Sequence, residues 1–66
     1  MRVIINGEAR QVAGPISLAA AVALLTSAPS GVAAAVNGDV VRRGAWQSTR
    51  LADGDEVEVL TAVQGG

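Results

Sequence analysis

Only one segment of this chain carries a helical repeat, and it is short. Ser17 is a good helix N-cap, and Leu18, Val22 and Leu25 follow at i, i+4 and i+7. Ala19, Ala20, Ala21 and Ala23 fill the positions between them, and alanine is the best helix former. Position three after Ser17 is Ala20, so no capping box forms. Gly14-Pro15 breaks the chain ahead of this segment. The helix is expected to end before Ala28-Pro29, because a residue preceding proline avoids the α region. A single apolar stripe buries a single face, and small alanines let the helix lie close to a sheet.

The rest of the chain reads as short strands separated by turns. Arg2 to Asn6 is β-branched, and Asn6-Gly7 is a strong hairpin signal, since both residues tolerate positive φ. Glu8 to Val12 is the returning strand, polar enough for a sheet edge. Val32 to Val36 lies between Gly31 and the turn Asn37-Gly38. Its alanines favour a helix, but its shortness and flanking glycines favour a strand, with Val32, Ala34 and Val36 inward. Val40 to Arg42 is a short strand, and Arg43 to Thr49 is irregular or a single helical turn. Leu51 is a core residue before the turn Asp53-Gly54-Asp55. Glu56 to Thr61 alternates, with Val57 and Val59 inward and Glu56 and Glu58 outward.

This order gives an α+β domain in two layers, a mixed sheet of four to five strands with one main helix on one face. A hairpin, a helix and a return strand match the ubiquitin-like β-grasp arrangement, in which the first and last strands run side by side in parallel. Residues 1–61 form that domain, and residues 62–66 form a flexible tail. On this topology Ile4 and Leu60 lie on the outer sheet face, with Val41 near them. They are either a small contact patch or ordinary scattered surface aliphatics.

Composition narrows the chemistry. The 66 residues contain no Cys, His, Lys or Tyr. Disulfides, thiolate–metal sites and Cys or His nucleophiles are excluded, and no metal site is expected. A chain this small has little room for a deep ligand pocket. It is therefore read as a substrate, carrier or subunit of an enzyme, not as an enzyme. Net charge is -1 and the one aromatic is Trp46, so no nucleic-acid footprint is visible. The apolar run Ile16 to Leu25 is shorter than the roughly 20 residues of a membrane span. A cytoplasmic location is expected.

The chain stops on Gly65-Gly66. Without a Cβ, two glycines make the thinnest backbone, one that threads into a narrow cleft and presents a carboxylate there. The alternatives are a frayed end or the remnant of a linker.

The residues also carry a family resemblance. Asn6, Val36-Asn37-Gly38-Asp39-Val40-Val41, Arg43, Trp46, Leu51-Ala52-Asp53-Gly54-Asp55-Glu56-Val57-Glu58 and Gly65-Gly66 together resemble the ThiS family of sulfur carriers of thiamine biosynthesis. Many members have proline where Arg42 stands, a departure that touches a turn and not the tail. The resemblance implies that a ThiF-like, E1-type enzyme adenylates the Gly66 carboxylate, using ATP that the carrier itself does not bind. A sulfur donor's persulfide then attacks, leaving a thiocarboxylate. Thiazole synthase, ThiG, takes the sulfur from it. Gln64, Gly65 and Gly66 thread the partner's channel, and no side chain of the carrier is catalytic. Asp53, Asp55, Glu56 and Glu58 either steer a basic partner or form a solvated turn and strand face. Trp46 is read as packing rather than as an interface anchor.

Three rivals share parts of the pattern. A carrier of the MoaD type, donating sulfur to molybdopterin, uses the same end but tends to be longer. A TGS-type binding module is similar around Val36-Asn37-Gly38 and Asp53 to Glu58, but is usually embedded in a longer protein. A modifier conjugated to lysines shares the activated end.

Overall fold

The structure, a computed structural model, describes residues 1–26 and 31–61. Strand β1 (Arg2–Ile5) and strand β2 (Glu8–Gln11) form the first hairpin. Helix α1 (Leu18–Ala23) follows, then β3 (Val32–Val36) and β4 (Asp39–Val41), a 310 turn at Arg43–Ala45, and β5 (Glu56–Thr61). The five strands form one sheet in the order β2-β1-β5-β3-β4. β5 lies at the centre, parallel to β1 and antiparallel to β3. This is the expected ubiquitin-like β-grasp.

Both hairpins close through Asn-Gly. Asn6 (φ 52) with Gly7 (φ 84), and Asn37 (φ 50) with Gly38 (φ 87), occupy the left-handed region at both turn positions. That geometry matches the right-handed twist of the flanking strands. The edge placement expected of the polar β2 holds.

Helix α1 is capped as expected, with Ser17 Oγ accepting the Ala20 N–H at 3.1 Å. Six residues are too few to be stable alone. The loop before β5 supplies what is missing. The Leu18 N–H donates to Thr49 O at 2.8 Å and the Ala19 N–H to Trp46 O at 3.2 Å. With the Ser17 cap, the amides of the first three helical residues, which a helix start leaves without intrahelical partners, are all bonded, and the regular ladder begins with Ala21 N donating to Ser17 O. The helix stops sooner than its apolar repeat suggests. Leu24 and Leu25 donate to Ala21 O and Val22 O, three residues back, and Thr26 also donates to Val22 O, so the last turn tightens and the regular helix ends at Ala23. Leu25, expected on the stripe, is therefore exposed, and the buried face is Leu18, Ala21 and Val22. The end expected at Ala28-Pro29 lies outside the described residues.

The core lies between α1 and the sheet. Val3 and Ile5 of β1, Ala34 of β3, and Val57 and Val59 of β5 meet Leu18, Ala21 and Val22, closed at one side by Trp46 and Leu51. Val32 and Val36 pack against its edge, as their parity predicts. Fully burying each Val, Leu or Ile is worth about 1.5–3 kcal/mol. Trp46 is buried, and its indole Nε1 donates to Val41 O at 2.8 Å, which confirms the packing role expected of it.

Candidate functional site

The last strand gathers most of the residues singled out from the sequence, and it precedes residues 62–66. Its backbone is held on both edges. On the β1 side, the Ile4 N–H donates to Asp55 O and the Asn6 N–H to Val57 O, both at 2.9 Å. There β1 turns away into its hairpin, and the Asn6 side chain continues the pairing. Its Nδ2 donates to Val59 O at 3.1 Å, and its Oδ1 accepts the Val59 N–H at 2.8 Å. On the β3 side, Asn37 mirrors this at the other end of the strand. Its backbone N–H donates to Glu56 O at 2.7 Å, and its Oδ1 accepts the Glu56 N–H at 3.0 Å.

The acidic residues divide into two groups. Asp55 is engaged both within its own turn and by the Asn37 turn. Its Oδ2 accepts from Ala52 N at 2.7 Å and its Oδ1 from Asn37 Nδ2 at 3.1 Å. Asp53 Oδ1 accepts from the Arg2 backbone N–H at 2.7 Å, tying this turn to the start of β1. Glu56 and Glu58 project from the outer sheet face and are exposed.

That outer face carries the aliphatics singled out from the sequence, with one correction. Leu60 is 69% exposed, and Ile4, opposite Ala9 and Glu56, is half-buried there. Val41 is not on this face. The two-residue turn sets Asp39 opposite Val36, so Val41 falls opposite the buried Ala34 and packs on the core. Its neighbour Val40, opposite Ala35, is the outward residue and is 81% exposed. The signal was present in the sequence: counting across a two-residue Asn-Gly loop fixes which valine shares the face of Ala34. The face thus runs from Ile4 across Glu56 and Glu58 to Ala33, Ala35, Leu60 and Val40.

Gln64, Gly65 and Gly66, the expected threading tail and reacting end, lie outside the described residues. An open cleft on the opposite side of the molecule, between α1 and the 310 turn, is lined by Val22, Ala23, Arg43, Gly44, Trp46 and Gln47. Among the described residues, no group of His, Cys, Asp or Glu is placed to hold a metal ion. None of their helices is long and apolar enough to cross a membrane.

A β-grasp domain with its last strand central and a polar-rimmed aliphatic face beside it defines a class of small ubiquitin-like proteins. Comparison with known families specifies which one. The ThiS family model matches residues 3–66, and the chain belongs to the ThiS family. A crystal structure of the thiamine biosynthesis protein ThiS from Geobacter metallireducens is 32% identical, with a TM-score of 0.80, covering all of both chains. A solution structure of a thiamine biosynthesis protein from the same organism gives the same identity and TM-score over all of this chain and 88% of that one. No curated protein matches.

Proposed function

We propose that this chain is a sulfur carrier of thiamine biosynthesis, a co-substrate rather than an enzyme, whose reacting atom is the carboxyl carbon of Gly66. The observation that carries this reading is the ThiS family match, which runs through Gly65 and Gly66 on a fold whose central strand leads to them. The 32% identity to a ThiS crystal structure over both full chains favours the thiamine acceptor over molybdopterin.

A carboxylate is a poor electrophile. A ThiF-like enzyme joins it to AMP from ATP, with loss of pyrophosphate, and the mixed anhydride then has a good leaving group. The terminal sulfur of a donor protein's persulfide attacks the acyl carbon and AMP departs. A second thiol cleaves the resulting acyl disulfide, releasing the thiocarboxylate and a disulfide between the two thiols. Thiazole synthase, ThiG, accepts that sulfur.

The carrier's part is address and reach. The outer face, with Ile4, Val40 and Leu60 beside Glu56 and Glu58, docks on a partner surface with an apolar centre and basic rim. Asp53 and Asp55 add negative charge while bracing the turn before β5. Residues 62–66 form the tail, and Gln64, Gly65 and Gly66 enter the partner's channel, where any Cβ would obstruct passage.

Intact-mass spectrometry tests the reading. With ATP, a ThiF-like enzyme and a sulfur source, the chain should gain the mass of one sulfur in exchange for one oxygen. Deleting Gly66 should abolish the gain and leave the melting temperature unchanged. A truncated chain that still acquired sulfur would refute the assignment of the reacting end.

A further inference from the structure

The geometry points to Asn6 as a positioning residue for the tail: its side chain holds the backbone of the last strand at Val59, the final point on the β1 side before the chain runs on to residues 62–66. This deepens the carrier reading above and rests on it.

Three observations carry the inference. The backbone ladder from β1 to β5 reaches only Asp55 and Val57, through the amides of Ile4 and Asn6. The next pairing, at Val59, is made by the Asn6 carboxamide, which donates to Val59 O and accepts from Val59 N as a peptide group would. Finally, Asn6 meets two demands at once. It accepts the φ of 52 that the hairpin requires, and it offers a donor and an acceptor on one short side chain. Glycine would satisfy the turn but not the pairing. A chain end reaches a reaction centre in the right orientation only as well as the point it leaves from is fixed. Asn6 anchors that point on the β1 side, opposite the edge that β3 holds through Val32 and Thr61. Asn37 makes a similar pairing with the same strand, but at Glu56, remote from the tail.

This contrast supplies the test. Asn6→Gly and Asn37→Gly each keep a turn residue suited to positive φ and delete one clamp of β5. Adenylation of each variant by a ThiF-like enzyme is followed by ATP–pyrophosphate exchange, at a temperature well below every melting transition. Asn6→Gly should lower kcat about tenfold, the factor that losing about 1.4 kcal/mol produces. KM should stay within about twofold of wild type, because the docking face is untouched. Asn37→Gly should change neither. Amide exchange read by NMR should accelerate at Val59 in Asn6→Gly and at Glu56 in Asn37→Gly. Equal kcat values for the two variants would overturn the positioning role and leave the carrier reading standing, as would a Val59 amide still protected in Asn6→Gly. A wild-type chain that takes no AMP would overturn both.

Discussion

At the residue scale, the polar side chains that matter here act mostly on backbone. Asn6, Asn37 and Asp53 bond main-chain amides of segments distant in sequence, while Asp55 bonds the nearby Ala52 amide and the Asn37 carboxamide. The one ion pair found among the described residues, Arg10 with Glu8, is stretched to 4.0 Å on an exposed edge strand and contributes little. Trp46 follows the same rule, fixing Val41 O through its indole nitrogen while its ring closes the core. Trp46→Phe removes that donor and leaves a partly buried carbonyl without it. The variant should be less stable by about 2 kcal/mol in urea denaturation followed by circular dichroism. A loss below about 0.5 kcal/mol would show that the hydrogen bond is replaced by water at no cost.

At the scale of elements, α1 is a helix by tertiary consent. The amides of its first three residues receive partners from Ser17 and from the loop at Trp46 and Thr49. Ser17→Ala should cost about 1 kcal/mol. Leu25→Gln should stay within about 0.5 kcal/mol, because that residue lies beyond the buried face. Urea midpoints at an unchanged m-value measure both. If Leu25→Gln proved as costly as Ser17→Ala, the short buried face described here would be wrong. The other elements are simpler. Each hairpin is closed by two residues whose positive φ the side chains tolerate, and the strand registers follow from those turns.

At the scale of the whole molecule, the sheet separates two tasks by face. The inner face and α1 hold the fold, and the outer face is open to solvent at Glu56, Glu58, Leu60 and Val40. Adjacent valines of β4 show the division. Val41 packs on the core, and Val40 is open to solvent. Leu60→Asp, on the outer face, should raise KM for the adenylating partner about tenfold and leave the melting temperature nearly unchanged. Val41→Asp should instead unfold the domain, since it places a charge against the core. Paired melts and adenylation kinetics check both. Unchanged KM for Leu60→Asp would remove the outer face as a docking surface.

Local periodicity and turn chemistry were enough to determine the two hairpins, the Ser17 cap, the alternation of β5 and the inward set Val57, Val59 and Leu51. These depend on backbone geometry within a few residues, so the amino acids state them directly. The family pattern, ending in Gly65-Gly66, was equally legible, and it is what leads to the carrier function. Tertiary structure decided the rest. The regular helix ends at Ala23, where the last turn tightens to bonds three residues back at Leu24 and Leu25, which no propensity of those leucines announces. Asn6 reads locally as a turn residue, and only the parallel alignment of β1 with β5 brings its carboxamide to Val59, 53 residues away. A sequence specifies what each residue can pair with; folding alone chooses which backbone arrives beside it.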